Sequence, residues 1–202
     1  VNLYLSDAAE VIFIDIHTEE GNVTVSDLDI DCDYRLTADK GEVTLSGITT
    51  GSTVTLDSKK ELTAKISGVT ARELILSADA SGYVTIENST FTHKVDATVK
   101  SGEFTYYRNE ANFAGYNVEL NAPAGKISVY GKEYTKKYTE QNVETPLTPV
   151  EPETTEADET TPAETGEETK SAATGDLNSI SITVKSGDIT ITDKAPVKPI
   201  TD

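Results

Sequence analysis

The most constraining feature of this chain is a six-residue phrase in which a glycine is followed by residues that alternate between apolar and polar. The glycines of this phrase are Gly21, Gly41, Gly82, Gly102, Gly125 and Gly187. Most of the intervals between them lie close to one or two periods of about 20 residues, and only the interval before Gly187 is much longer. A fixed period of this length is typical of stacked repeats, and glycine allows positive φ where a chain turns.

A second strand-like segment fills the other half of each period. In the period that begins near Gly41, Val43 and Leu45 alternate with polar residues, and so do Val54 and Leu56. This alternation places the apolar side chains on one face of each strand. A single coil of this kind buries too little to fold alone, so neighbouring coils must stack on it. We therefore predict an all-β fold, a single parallel β-solenoid of stacked two-strand coils of about 20 residues that form a flattened sandwich.

Composition divides the chain into three parts. Residues 1–134 carry the repeats, residues 135–176 are rich in Thr, Glu and Pro, and residues 177–202 return to the repeat pattern and end in a tail. Residues 139–170 contain ten acids and one lysine, a net charge of −9, and such a segment is typically disordered. We predict a disordered acidic insertion, after which residues 177–193 return as the last coil. The alternative is a separate strand that caps a neighbouring molecule.

Two copies of the repeated phrase indicate a family. Residues 100–104 (Lys-Ser-Gly-Glu-Phe) and 185–191 (Lys-Ser-Gly-Asp-Ile-Thr-Ile) resemble the Ser-Gly-Asp-Ile phrase of a bacterial adhesin family. Its members are domains of unknown function built from parallel β-strand repeats, found in cell-surface and envelope-stress proteins. The resemblance covers roughly residues 12–134 and 177–193. It implies a β-solenoid fold and a surface or envelope location, and it brings no catalytic residues with it.

The sequence also bears on where the protein works. No run of 18 apolar residues occurs, so we expect no direct insertion of this chain into a membrane. Because it begins at Val1, close to strand-like sequence, we expect a fragment of an exported or membrane-anchored bacterial protein, at the envelope surface or outside the cell. Cys32, the single cysteine, cannot form an internal disulfide and is expected to be a small, buried or half-buried residue.

One acidic stretch raises the question of a metal site. Asp27, Asp29, Asp31 and Asp33 stand at alternate positions, which would place four carboxylates on one strand face and favour calcium there. The EF-hand pattern does not fit, however, because Tyr34 stands where glycine is needed and Lys40 where a bidentate glutamate is needed. We therefore interpret the stretch as a solvated acidic face, with a calcium site as the alternative, and predict no cofactor.

The sequence gives little support for an enzyme. Glu42, Glu61 and Glu103 occupy related turn positions and could line one edge, as the paired carboxylates of a glycosidase would. A ladder of acids is more often a soluble rim that discourages strand pairing. His17 and His93 have no Cys or His partner at metal-ligand spacing, so we interpret each as an ordinary strand or surface residue. We predict a non-enzymatic protein.

Charge and aromatic residues narrow the choice of partner. The net charge of −18 and the lack of a basic stripe exclude a nucleic-acid binder. The most aromatic patch contains Tyr106, Tyr107, Arg108 and Tyr116, and exposed tyrosine beside arginine is typical of recognition surfaces. We predict that this patch binds a surface glycan or a protein ligand. The alternative is that Tyr106 and the nearby Phe113 fill the core of a wider coil.

Two functions are compatible with these features. The first is a non-enzymatic binding module of the cell surface or envelope, an adhesin. The second is an ectodomain that senses envelope stress or acts as a scaffold, either through protein partners or by self-association through the ends of the solenoid, since exposed strand edges invite pairing. Ligand binding by the purified protein favours the first function, and oligomers favour the second.

Overall fold

The computed structural model describes residues 11–108, 113, 115–141 and 178–193. This part of the chain is all-β, with mostly parallel strand pairing. It contains no helix, and hence none long and apolar enough to cross a membrane. The strands are β1 (Phe13–Thr18), β2 (Val23–Asp29), β3 (Asp33–Ala38), β4 (Lys40–Thr49), β5 (Thr53–Ser58), β6 (Glu61–Ser67), β7 (Thr70–Glu87), β8 (Thr90–Tyr107), β9 (Tyr116–Val129), β10 (Lys132–Glu140) and β11 (Asn178–Thr192).

The parallel strands form two rows. The first row contains β1, β3, β5 and the first parts of β7, β8, β11 and β9; the second contains β2, β4, β6 and the second parts of the same four long strands. From β1 to β8, each position pairs with the position one period later, as in the series Ile14, Tyr34, Val54, Leu74 and Val95. One period of the sequence therefore corresponds to one step along each row.

Alternating burial along the strands builds the core. In β4, Val43 and Leu45 are buried and the intervening Thr44 is half-buried, while Val54 and Leu56 are the buried positions at the centre of β5. Buried residues from both rows belong to one apolar cluster. The predicted assignment of these four aliphatic residues to one face is confirmed, and the threonines between them lie on the other face.

The returning segment does not occupy the predicted last position. β11 lies between β8 and β9 and runs parallel to both, so that Ile182 is in register with Ala97 on one side and Leu120 on the other. The spatial order at this end is therefore β8, β11, β9, β10. An inner strand has a neighbour on each side, so its backbone N–H and C=O groups can all form hydrogen bonds. At an edge, half of these groups have no partner strand, so an inner position is more favourable.

The strand at the end of the sheet is antiparallel to its neighbour. β9 and β10 are joined by Tyr130 and Gly131, with φ of 48° and 80°, the geometry of a two-residue hairpin turn. The prediction that the insertion begins at residue 135 was wrong, because residues 135–140 belong to β10. Such a short turn can join only antiparallel strands. Apart from residues 135–141, the predicted disordered acidic insertion lies outside the described residues.

Close backbone contact explains two of the repeated glycines. Gly102 has φ of 126°, and a Cβ atom added to it would lie 1.9 Å from the carbonyl oxygen of Gly82 on the neighbouring strand. Gly187 has φ of 137°, and its Cβ atom would lie 1.7 Å from the carbonyl oxygen of Gly102. At these positions glycine is required by both the backbone conformation and the lack of space.

We expect Gly102→Ala to destabilise the protein by about 2–4 kcal/mol, because the new methyl group overlaps backbone that cannot rotate away. Gly131→Ala is the matched control, since Gly131 has φ of 80° with nothing within 4 Å of the added Cβ atom. It should cost only about 1 kcal/mol of backbone strain. Urea unfolding monitored by circular dichroism measures both values, and equal losses would contradict the steric explanation.

Candidate functional site

The four residues of the predicted binding patch lie together at the ends of two strands. β8 ends with Tyr106 and Tyr107, Arg108 follows, and β9 begins with Tyr116. β11 lies between the two strands in the sheet and holds the end of β8. Tyr107 is in register with Thr192, whose carbonyl oxygen accepts a 2.8 Å hydrogen bond from the Arg108 N–H.

The guanidinium group of Arg108 is surrounded by aromatic rings. Its Cζ atom lies 5.0 Å from the ring centroid of Tyr116, 5.2 Å from that of Phe113 and 5.8 Å from that of Tyr106. These distances are within the range in which a cation is attracted to the face of an aromatic ring. The rings therefore hold the arginine side chain in one place at the surface of the sheet.

Two of the aromatic residues belong to the core. Tyr106 is 4% exposed and Phe113 is 1% exposed. Tyr106 packs edge-on against Phe91, with ring centroids 6.4 Å apart, and its hydroxyl donates to the Ser89 carbonyl oxygen at 3.4 Å. For these two side chains the alternative prediction, that they fill the core, is the one the structure supports.

The other three residues line a cleft. Tyr107, Arg108 and Tyr116 are half-buried, and together with residues 89–91 and Tyr106 they border a cavity of about 210 Å³. The Tyr116 hydroxyl donates to the Phe91 carbonyl oxygen at 2.8 Å, which fixes its ring in the wall. We call this feature the aromatic cleft. It combines the two half-buried tyrosine rings, an arginine and the side chains of Ser89 and Thr90, so it offers both stacking surfaces and hydrogen-bonding groups.

The acidic stretch from Asp27 to Asp33 does not form one strand face. β2 ends at Asp29 and β3 begins at Asp33, and Asp27 itself has φ of 56°, in the left-handed region. The prediction that the four carboxylates share a face was therefore wrong, because the chain turns between them. Within the described residues, no group of three or more His, Cys, Asp or Glu side chains is arranged to hold a metal ion.

Two of these carboxylates bind the backbone of the next repeat instead. Asp31 accepts hydrogen bonds from the Gly51 N–H at 2.9 Å and from the Ser52 hydroxyl at 3.3 Å. Asp33 accepts one from the Thr53 N–H at 3.0 Å. These contacts join residues one period apart, so both side chains stabilise the stacking of neighbouring turns. Nothing in the spacing of the aspartates alone distinguishes this role from calcium binding.

Tyr34 and Cys32 stabilise the turn between β2 and β3 on its buried side. The Cys32 N–H donates to the Ile30 carbonyl oxygen at 2.9 Å, and the Tyr34 hydroxyl donates to the same oxygen at 3.2 Å. Tyr34 is 1% exposed and Cys32 is 2% exposed, as predicted for the cysteine. Burial raises the pKa of the Tyr34 hydroxyl and also that of the Cys32 thiol. Both groups are therefore held in their neutral forms.

The three glutamates considered for catalysis are not arranged as a pair. Glu42 and Glu103 lie at equivalent register positions, but the strands of Thr63 and Tyr83 separate them. Three strand spacings amount to roughly 14 Å, beyond the separation of two glycosidase carboxylates. Glu61 lies at a different register position, paired with Lys40 and Ser81 on the two neighbouring strands. The repeat length alone could not establish this difference.

Glu42 has a local partner. Its carboxylate accepts a hydrogen bond from the Lys65 ammonium group at 2.9 Å and another from the Thr44 hydroxyl at 2.9 Å. The bond from Lys65 is the main cause that lowers the pKa of Glu42. A carboxylate whose charged form is stabilised in this way is poorly suited to act as a general acid.

The two histidines lie apart and face single carboxylates. The Nε2 atom of His17 is 4.0 Å from Asp39 Oδ2, and the Nε2 atom of His93 is 3.9 Å from Glu73 Oε1. Each histidine thus lies on the surface of the sheet beside one acid. This placement agrees with the interpretation of both as ordinary strand residues.

A polar groove on the outer face of the first row was not predicted from the sequence. His17, Thr37, Asp57 and Ser77 are in register on β1, β3, β5 and β7, and they border a cavity of about 420 Å³. Arg35 also lines the groove and lies 3.5 Å from Asp57. The signal was present in the sequence, since these four polar residues follow one another at intervals of one period.

Comparisons of the chain with protein-family models, with curated proteins and with solved structures found no match.

The two interpretations of the aromatic patch predict different effects of truncation. We expect Tyr106→Ala to lower the free energy of unfolding by about 3–5 kcal/mol, because it empties a buried site. Tyr107→Ala should cost about 1 kcal/mol or less, because Tyr107 is only half-buried. Denaturant titration of both variants measures the difference. A large loss of stability in Tyr107→Ala would show that Tyr107 also belongs to the core.

Tyr34 should make stability depend on alkaline pH. Because folding raises its pKa above the ordinary value of 10.0, the unfolded chain loses this proton first, and stability falls as the pH rises above 10.0 and through the folded pKa. The slope is about 1.4 kcal/mol per pH unit at most. Tyr34→Phe should cost about 1 kcal/mol near neutral pH through the lost hydrogen bond and reduce the alkaline slope. An unchanged slope would rule out this contribution.

Proposed function

We propose that this chain is a parallel β-solenoid of the bacterial envelope that acts as a non-enzymatic binding module, an adhesin, and recognises a surface glycan or protein through the aromatic cleft. The solenoid interpretation is supported by the register of both rows, in which most steps between neighbouring strands correspond to one period of the sequence. The envelope location and the adhesin assignment rest on the resemblance of the Ser-Gly-Asp-Ile phrases.

The observation that carries the binding proposal is the packing of Arg108 against three rings beside a cleft. Tyrosine and arginine are enriched among the residues that dominate binding energy. A side chain that is already fixed loses little conformational entropy when a ligand binds to it. Tyr107 and Tyr116 supply half-buried rings at the same place, where the apolar face of a sugar or a protein side chain can pack.

The test is binding of the labelled protein to a panel of glycans, matrix proteins and isolated envelope fractions, at several salt concentrations. Saturable binding that persists at high salt supports the proposal, because a ligand held by packing is only weakly screened. Tyr107→Ala should then weaken binding at least about tenfold. Tyr83→Ala is the matched control, since Tyr83 is 51% exposed and lies on β7, outside the cleft. Equal binding by both variants and the original protein would exclude the cleft.

A scaffolding or envelope-stress-sensing ectodomain is the second candidate. The observation that favours it is that β1, β2 and β10 each pair with one described strand only, so the sheet has an edge at both ends of the described region. Strand edges support association with a protein partner or a second copy. A concentration-dependent shift to oligomers, without binding to any member of the panel, would favour this function over the adhesin.

A further inference from the structure

The two ends of the sheet differ in charge. We call β1, β2 and the turn that joins them the first edge, residues 13–29, and we call β10 the last edge. The first edge carries five exposed carboxylates and no lysine or arginine; the carboxylates are those of Asp15, Glu19, Glu20, Asp27 and Asp29. The last edge carries three exposed lysines, Lys132, Lys136 and Lys137, against Glu133 and the half-buried Glu140.

The two edges also differ in how their apolar and aromatic side chains are packed. On the last edge, the rings of Tyr134 and Tyr138 pack with centroids 4.8 Å apart, and Tyr138 also contacts Phe113 at 6.1 Å. On the first edge Phe13 is 49% exposed, and Ile12, which directly precedes it, is 79% exposed. The first edge therefore combines negative charge with exposed apolar side chains, a combination that a positively charged strand could cover.

We propose that the protein associates head to tail, with the last edge of one copy docked on the first edge of a second copy. Lys132 and Lys136 would meet the carboxylates of β1 and β2, which attracts the two unlike edges, while Lys137 forms a salt bridge with Glu119 at 2.8 Å within its own copy. Contact between two first edges would bring two sets of carboxylates together, and contact between two last edges would bring two sets of lysines together. Charge thus selects one mode of association by repelling the others.

The backbone of β10 supports this orientation. Residues 132–135 lie beside the second row and residues 136–140 beside the first, with the irregularity between Thr135 and Lys136 where β9 passes from one row to the other. A docked β10 could therefore extend both β2 and β1 of the next copy, antiparallel to each. Lysines on an edge usually discourage pairing. Here they discourage pairing with another last edge and leave the acidic edge as the favourable partner.

Such a contact joins two different surfaces, so it does not close on itself in a dimer. Contacts of this kind produce rings when the rotation between copies closes, and open filaments when it does not. The two edges share no residue with the aromatic cleft, and their docking does not depend on ligand binding. Head-to-tail docking would supply the self-association that the scaffolding function requires.

Sedimentation velocity over a range of protein concentrations, at low and high salt, tests the proposal. The weight-average sedimentation coefficient should rise with concentration at low salt and fall when salt is added, because exposed charges are screened. The double variant K132E/K136E should raise the concentration needed for association about tenfold or more. K59E/K100E is the matched control, with the same change in net charge at two exposed lysines outside both edges, and should associate like the original protein apart from a general effect of charge.

Complementation between two variants, each altered at one edge only, distinguishes specific docking from a general effect of charge. E19K/E20K changes two exposed residues in the turn of the first edge and should also impair self-association. Mixing it with K132E/K136E should restore association of unlike copies, since the native last edge of E19K/E20K can then dock on the native first edge of K132E/K136E. Circular dichroism verifies that both variants are folded.

Three results would overturn the proposal: a single monomeric species at all concentrations and salt levels, equal effects of K132E/K136E and K59E/K100E, or no association in the mixture of the two edge variants. None of these results bears on the binding module, because Tyr107 and Arg108 are unchanged in all of the variants. Binding to the glycan and matrix panel can therefore succeed or fail independently.

Discussion

The close approach of neighbouring backbones at the glycine positions is the constraint on which the rest of the structure depends. A Cβ atom at Gly102 would overlap the Gly82 carbonyl group, one at Gly187 would overlap that of Gly102, and one at Gly125 would lie 1.8 Å from the Gly187 oxygen. Gly82, Gly102, Gly187 and Gly125 therefore lie directly against one another, while Leu62 takes the equivalent position between Gly41 and Gly82. Since a slip by one residue would turn every inward side chain outward, this register also determines which residues form the core.

The sequence predicts the strand faces and the period well, because both depend on local patterns. Val43, Leu45, Val54 and Leu56 show their burial through alternation alone. The position of β11 could not be predicted in this way, because its alternation fits any slot along the rows. The selection of the slot between β8 and β9 depends on contacts with residues far away in sequence. β10 was missed because it lacks the glycine phrase and is rich in lysine and tyrosine.

The candidate site shows the same limit on a smaller scale. Phe104 is buried, so the alternation already implied that Tyr106 would point inward and Tyr107 outward. The stacking of rings around Arg108 was not visible in the sequence, because Tyr116 comes from another strand. For the aspartates, the alternating pattern led to a wrong prediction. Alternation places side chains on one face only within a single strand, and here the left-handed φ of Asp27 and the end of β2 interrupt the strand.

The aromatic cleft lies where the order of strands in space departs from their order in sequence. β8 ends and β9 begins on its two sides, yet β11 separates these strands in the sheet. The Thr192 carbonyl group holds the backbone of Arg108, and Asn178 is in register with Tyr116. Both walls of the cleft are therefore positioned by one strand from the far end of the chain. The cleft can reach this geometry only after β11 has docked, so the returning segment contributes to the proposed site without lining it.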